Sequence, residues 1–205
     1  KRVADLACAQ GNFSLLLAEA GFDVTAVDIK PEFLNYLRKK HERGRVETVL
    51  ANVMDFKTDN PFDCVILGEI IEHVAKPQEL LAAASRNLRS GGVLILTTPN
   101  GNHYGSKLPT YSQVTNPEEL IPRQFHWLDH LFLYTTQELT ALLDRASFEV
   151  LQLDTYHSSH VSEIKTLRYL MPKSLLEWAE KKSRTWPKQG KDSTNGIIAV
   201  ARKRA

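Results

Sequence analysis

The chain holds only two cysteines, Cys8 and Cys64, in 205 residues. Neither belongs to a CxxC pair, which excludes a disulfide framework and points to a reducing, cytoplasmic setting. No apolar run approaches the roughly 20 residues needed to cross a bilayer, and no signal peptide is visible. Charge of one sign is not in excess either. Against 26 Lys and Arg stand 24 Asp and Glu, a formal net charge of +2, too weak a bias to argue for a nucleic-acid partner. Internal repeats, low-complexity tracts and a GxGxxG loop are also missing. What remains is a chain with 42% hydrophobic and 24% charged residues, long enough for one domain with a full core. It begins directly in a strand at Lys1-Arg2-Val3, so further residues are expected before Lys1.

Short apolar runs alternate with helical patterns. The runs are Val3–Cys8, Asp23–Asp28, Val46–Ala51, Cys64–Leu67, Val93–Thr98, Phe148–Tyr156 and Ile197–Ala201. Between the early ones lie Phe13–Ala20, Pro31–His41 and Pro77–Leu88, with apolar residues three and four apart, as in Leu80, Leu81, Ala84 and Leu88. Pro31 and Pro77 suit a first helical turn. This alternation predicts an α/β fold: a doubly wound, mostly parallel seven-stranded sheet, with the last two strands pairing antiparallel at one edge. Two stretches break the rhythm, about 100–134 and 157–195. The second should hold short helices around 162–170 and 174–182 and a basic segment at 181–191. A single domain is expected, with both insertions over the carboxyl edge of the strands as a substrate lid.

The first βαβ unit, VADLACAQGNFSLLLAEAGFDVTAVD, carries the most information. Its loop reads Ala7-Cys8-Ala9-Gln10-Gly11. A pyrophosphate on a helix N-terminus needs the GxGxxG spacing, so a dinucleotide site is disfavoured. Alanine permits close approach of a ligand nearly as well as glycine but accepts positive φ poorly. A cofactor without phosphates makes weaker demands. Asp28 closes the second strand, where its carboxylate can accept from both hydroxyls of a ribose. That reading is favoured over simple capping of the helix at Pro31.

Several segments in order resemble the class I S-adenosylmethionine-dependent methyltransferases. DLACAQG is similar to their first motif, usually D-x-G-x-G-x-G. Phe62-Asp63-Cys64-Val65-Ile66 with Glu69-Ile70-Ile71-Glu72-His73-Val74 resembles their fourth-strand segment. Leu88-Arg89-Ser90-Gly91-Gly92-Val93-Leu94 resembles L-x-P-G-G-x-L, with Ser90 for proline. Thr97-Thr98-Pro99-Asn100 is similar to the ending of that strand in the branch related to ubiquinone-biosynthesis O-methyltransferases. The resemblance runs from about residue 3 to 150. It implies S-adenosyl-L-methionine as cofactor and assigns roles by position. Asp5 would orient the loop or the methionyl amine. Ala7, Ala9 and Gly11 would line the methionine portion. Asp28 would take the ribose, Ile29 the adenine face, and Asn52 and Val53 the adenine edge. Gly68 and Glu69 would border the sulfonium.

Methyl transfer needs a positioned nucleophile and, for a hydroxyl, a base. The candidates are Glu72, His73 and His130, with His126 beside them in the first insertion and His157 and His160 after the sixth strand. A packed lid or a solvated turn explains the last three more simply. The expected activity is methylation of a small molecule, at oxygen by the resemblance. An alternative comes from the set Glu69, Glu72, His73 and His130, which resembles the metal-binding set of small-RNA 2′-O-methyltransferases and suits Mg or Mn. A further alternative, kept alive by the two loop alanines, is a non-catalytic binding protein with the methyltransferase fold.

Overall fold

The computed structural model describes residues 1–123, 130–156, 172, 174–175 and 194–204. The chain alternates β1 (Arg2–Leu6), α1 (Asn12–Glu19), β2 (Asp23–Asp28), α2 (Pro31–Lys40) and β3 (Arg45–Leu50). β4 (Phe62–Gly68), α3 (Pro77–Asn87) and β5 (Leu88–Pro99) follow, then α4 (Thr136–Arg145), β6 (Phe148–Tyr156) and β7 (Gly196–Lys203). The strands form one seven-stranded sheet in the order β3-β2-β1-β4-β5-β7-β6. β1 to β5 run parallel to their neighbours, while β7 is antiparallel to both β5 and β6. The expected fold class is therefore present. The reversed strand, β7, sits one place in from the edge, with β6 outside it.

The central strands carry continuous apolar runs because both faces are covered. Ala4, Leu6, Val65, Leu67, Leu94 and Leu96 are all buried. Pro31 and Pro77 open α2 and α3 at positions where a missing N–H costs nothing. The first strand ends at Leu6 rather than Cys8, because the chain turns into the left-handed region at Ala7. The fifth starts at Leu88 rather than Val93, taking in the Gly91-Gly92 irregularity as a register shift. α4 lies just beyond the first insertion and carries a capping box, Thr135 accepting from the Glu138 amide while Glu138 accepts from the Thr135 amide. Lys203 on β7 donates to the carbonyls of Ser85 and Leu88, closing the carboxyl end of α3.

The first insertion returns to the sheet through isolated bridges, Asn100 to Tyr134 and Thr110 to Leu133. Three aromatic rings, Tyr111, Phe132 and Tyr134, pack together beneath it at centroid distances of 5.2 to 5.5 Å. The expected helices around 162–170 and 174–182, the basic segment 181–191, and His126, His157 and His160 lie outside the described residues, Ser174 and Leu175 excepted. Both cysteines are free. Among the described residues no helix is long and apolar enough to cross a membrane.

Candidate active site

The loop after β1 keeps the conformation that glycines would give it. Ala7 and Ala9 have φ of 60° and 47°, and Gly11 has 75°. Each alanine in the left-handed region costs about 1–2 kcal/mol, so something must hold it there. The Cys8 amide donates to Val27 O (3.0 Å) and the Gly11 amide to Cys8 O (2.8 Å). The Ala9 amide donates to Asp28 Oδ2 (2.8 Å). Alanine fits this bend at a cost, and the strain is accepted because three backbone donors find buried partners.

Asp28 is almost fully buried and also accepts from the Lys30 amide at 2.9 Å through Oδ1. It does not cap α2 through the helix's own first turn, whose N-cap is Lys30. Instead it clasps the loop and sets the exit of β2. A carboxylate offers about four acceptor sites. Two are used here, and the two others suit a pair of ribose hydroxyls. Ile29 beside it leaves 62% of its surface exposed, which fits a flat apolar ligand lying on it. Asn52 is exposed and turns inward on its own chain, its Oδ1 accepting from the Met54 amide (3.0 Å), while Val53 packs on the core. Asp5 is buried under α1, where Oδ2 accepts from the Ser14 amide (3.1 Å) and hydroxyl (2.6 Å). Burial raises its pKa to about 6. Asp5 thus fixes the start of α1 and, through it, the loop.

Across the sheet, Gly68 ends β4 with the Phe13 ring of α1 against it; a methyl added there would lie 2.8 Å from Phe13 Cε2. Glu69 follows at φ 52°, a strained position for a residue with a side chain and one typical of functional loops. The turn Ile71–His73 then places Glu72 wholly inside the protein. Glu72 Oε2 accepts from the Thr98 hydroxyl (2.9 Å), and Oε1 has no hydrogen-bond partner. Both imidazoles face that oxygen, His73 Nε2 at 3.8 Å and His130 Nε2 at 3.9 Å. The rings meet edge to face with centroids 4.7 Å apart. His130 reaches this place because the Leu131 amide donates to Glu72 O (2.9 Å). Burial, reinforced by the charge of Glu69, pushes the Glu72 carboxyl up to about 8. The adjacent Glu72 and His73 and the distant His130 therefore form one cluster. Their donor atoms all lie within 4.8 Å of one another. Glu69 is not part of that convergent set, which corrects the four-residue expectation.

A cavity of about 310 Å³ opens beside the cluster, lined by Glu69, His103, Ser106, His130, Tyr156 and Asn195 among others. Tyr156 was read only as a strand end, yet its hydroxyl donates to Glu69 Oε1 at 3.2 Å. Local sequence holds no signal for this. The register does: Tyr156 pairs with Gly196, and Gly196 pairs with Pro99 at the end of β5. Thr98, the support of Glu72, was legible only as part of the TTPN segment.

Residues 4–96 match the family described as Methyltransferase domain. A ubiquinone biosynthesis O-methyltransferase from Xanthomonas campestris pv. campestris is 34% identical over 103 residues, which cover 48% of this chain and 43% of that protein. The chain thus spans under half the length of the curated relatives it matches. Among solved structures, an S-adenosylmethionine-dependent methyltransferase from Methanosarcina mazei aligns with a TM-score of 0.65 at 17% identity, over 99% of this chain and 92% of that one. The 1,6-didemethyltoxoflavin-N1-methyltransferase of Burkholderia thailandensis, solved with 1,6-didemethyltoxoflavin and S-adenosylhomocysteine, aligns at 0.63 and 19%, over 100% and 71%. The matched segment is similar to a methyltransferase domain, and the strand order agrees with the Rossmann-like fold of the solved S-adenosylmethionine-dependent methyltransferases that this chain resembles.

Proposed function

We propose that this chain methylates a small molecule, at oxygen, using S-adenosylmethionine. The observation that carries the reading is the buried Glu72 with two imidazoles on one oxygen, opening onto a polar cavity next to Gly68 and Glu69. When bound, the cofactor supplies an electrophilic methyl carbon on a sulfonium. The loop Ala7, Ala9 and Gly11 would hold its methionine portion, Asp28 its ribose, Ile29 and Val53 its adenine. Asn52 would give the adenine edge its backbone or its amide. Gly68 and Glu69 would flank the reacting side. His130, one-third exposed and lining the cavity, would take the acceptor's hydroxyl proton at Nε2. Glu72, held protonated by burial at neutral pH, would hold that imidazole in place and would offset the charge it gains only by ionising, and His73 would brace the ring from its edge. The first insertion supplies His103 and Ser106 to the cavity wall, which supports reading it as part of a substrate lid in a single domain.

The test is donor binding. Titration calorimetry with S-adenosylmethionine should show one site, and Asp28→Ala should weaken it by about 10- to 100-fold, the loss of hydrogen bonds to a charged acceptor. Absence of binding by the parent protein would favour the non-catalytic reading instead.

A second reading rests on the convergence of Glu72, His73 and His130, whose one carboxylate and two imidazoles suit a divalent cation as well as they suit a base. Metal-dependent transfer, including transfer to an RNA 2′ hydroxyl, follows from it. Under the base mechanism, chelation with EDTA leaves turnover unchanged. Under the metal mechanism, turnover falls on chelation, returns with Mn or Mg, and His130→Ala abolishes that return.

A further inference from the structure

The cavity beside His130 says more about its occupant than that it is small. Its volume of about 310 Å³ lies at the low end of ligand sites, which run from about 300 to 1,000 Å³. A single ring with its substituents fills such a space; a long apolar tail does not. The wall mixes polar and apolar surface, although among the described lining residues only Pro99 and Leu133 carry purely apolar side chains. The Ser106 hydroxyl is buried without a hydrogen-bond partner, a cost that a ligand's polar group removes. On the opposite side, the Tyr156 hydroxyl occupies one acceptor site of Glu69 at Oε1, and the carboxylate keeps others for donors from the occupant.

Charge narrows the class further. Among the described lining residues there is no Lys or Arg. A carboxylate forms part of the wall at Glu69, while the Glu72 carboxyl behind His130 is held protonated at neutral pH. An anionic acceptor would enter against Glu69 with no cation among the described lining residues to receive it. A cationic acceptor would lie against the imidazoles of His103 and His130, one of which must itself take up a proton in the proposed reaction. The occupant that satisfies every wall group is an uncharged one with several hydroxyls.

We infer that the acceptor is an uncharged, single-ring polyol of sugar size, one hydroxyl donating to Glu69 and another meeting Ser106, with Tyr156 setting the orientation of the Glu69 carboxylate. This rests on the methyltransferase reading of the same site. The reaction keeps its balance: the acceptor's O–H bond would break with its proton passing to His130, the oxygen would bond to the methyl carbon, and the donor's sulfur–methyl bond would break with the electron pair left on sulfur, so that S-adenosylhomocysteine departs.

The experiment measures S-adenosylhomocysteine release with neutral probes (the methyl pyranosides of glucose, galactose and mannose, and inositol). It compares them with methyl glucuronide, methyl glucosaminide and catechol, after S-adenosylmethionine binding has been confirmed by titration. Turnover is expected with at least one neutral polyol, and methyl glucuronide should be the poorest sugar. Glu69→Gln should narrow the neutral-to-anionic ratio by at least about tenfold. Tyr156→Phe should raise KM by about 5- to 10-fold with little change in kcat, as lost uniform binding does. Turnover confined to the glucuronide, the glucosaminide or catechol overturns the inference. So does failure of every neutral polyol in protein that binds the donor, and in both cases the methyltransferase reading stands. Failure to bind the donor overturns the reading beneath and the inference with it.

Discussion

Gly11→Ala should destabilise the protein by about 2–5 kcal/mol, whereas Gly21→Ala should cost about 1–2 kcal/mol. Both glycines have positive φ, 75° and 86°, so the backbone strain of the substitution is common to them. Space distinguishes them. A methyl on Gly21 would meet nothing within 4 Å, but one on Gly11 would fall 2.0 Å from Leu37 Cδ1 and 2.6 Å from its Cγ. Leu37 cannot swing away, because it is buried with Cys8, Ala26 and Leu34 in the small core under α2. The added volume must push either that core or the loop. Urea denaturation of the two variants, read side by side, separates overpacking from strain. Donor titration should show that Gly11→Ala also loses affinity, since the loop that moves is the one held on Asp28. Equal free-energy losses for the two variants would mean that the close fit of loop to α2 carries no energy.

Glu72→Gln should slow methyl transfer by about 10²-fold or more and at the same time make the protein more stable in alkali. The side chain keeps its shape and can still accept from the Thr98 hydroxyl, but it can no longer ionise beside a His130 that gains a proton. The stability effect follows from linkage. An unfolded Glu titrates near 4.5, and burial raises the folded carboxyl to about 8. Between these values the unfolded chain has released a proton that the folded protein still holds. Stability therefore falls as pH rises through that window, by an amount on the order of 5 kcal/mol when complete above pH 8. The groups around it, Glu69, His73, His130, Thr98 and Tyr134, are the same in the variant. Glutamine removes the slope. Thermal midpoints of metal-free parent and variant should coincide near pH 4 and diverge by pH 9 in favour of the variant. A variant that turns over normally, or melts with the parent's pH dependence, would remove Glu72 from the proposed role. Gained stability joined to lost rate is what a strained functional group predicts.

The sheet was readable because the strands are short apolar runs and two of the helices between them, α2 and α3, open with proline. The loop was readable as a site but not as a shape. Nothing local says that Ala7 and Ala9 will accept positive φ; that depends on Asp28 and Val27, which come from the neighbouring strand. Glu72, His73 and His130 were named from their residue types and segments, and their convergence rests on one long-range hydrogen bond, Leu131 to Glu72. α4 carries a capping box, T-x-x-E at Thr135 and Glu138, a signal present in the sequence. Tyr156 and Ser106 had none, because their place at the cavity is decided by strand register and by the path of the first insertion.

β7 lies between β5 and β6, laced to the former over Val93–Pro99 and to the latter over Phe148–Tyr156. Asn100 adds a knot at its entrance by donating to Thr194 O and Oγ1. During synthesis β6 therefore emerges with no neighbour to join, and β5 waits with one side bare, until β7, made after both, slides into the gap. For that interval the nascent chain offers two open strand edges to its surroundings, the condition under which sheet proteins most readily pair with the wrong partner.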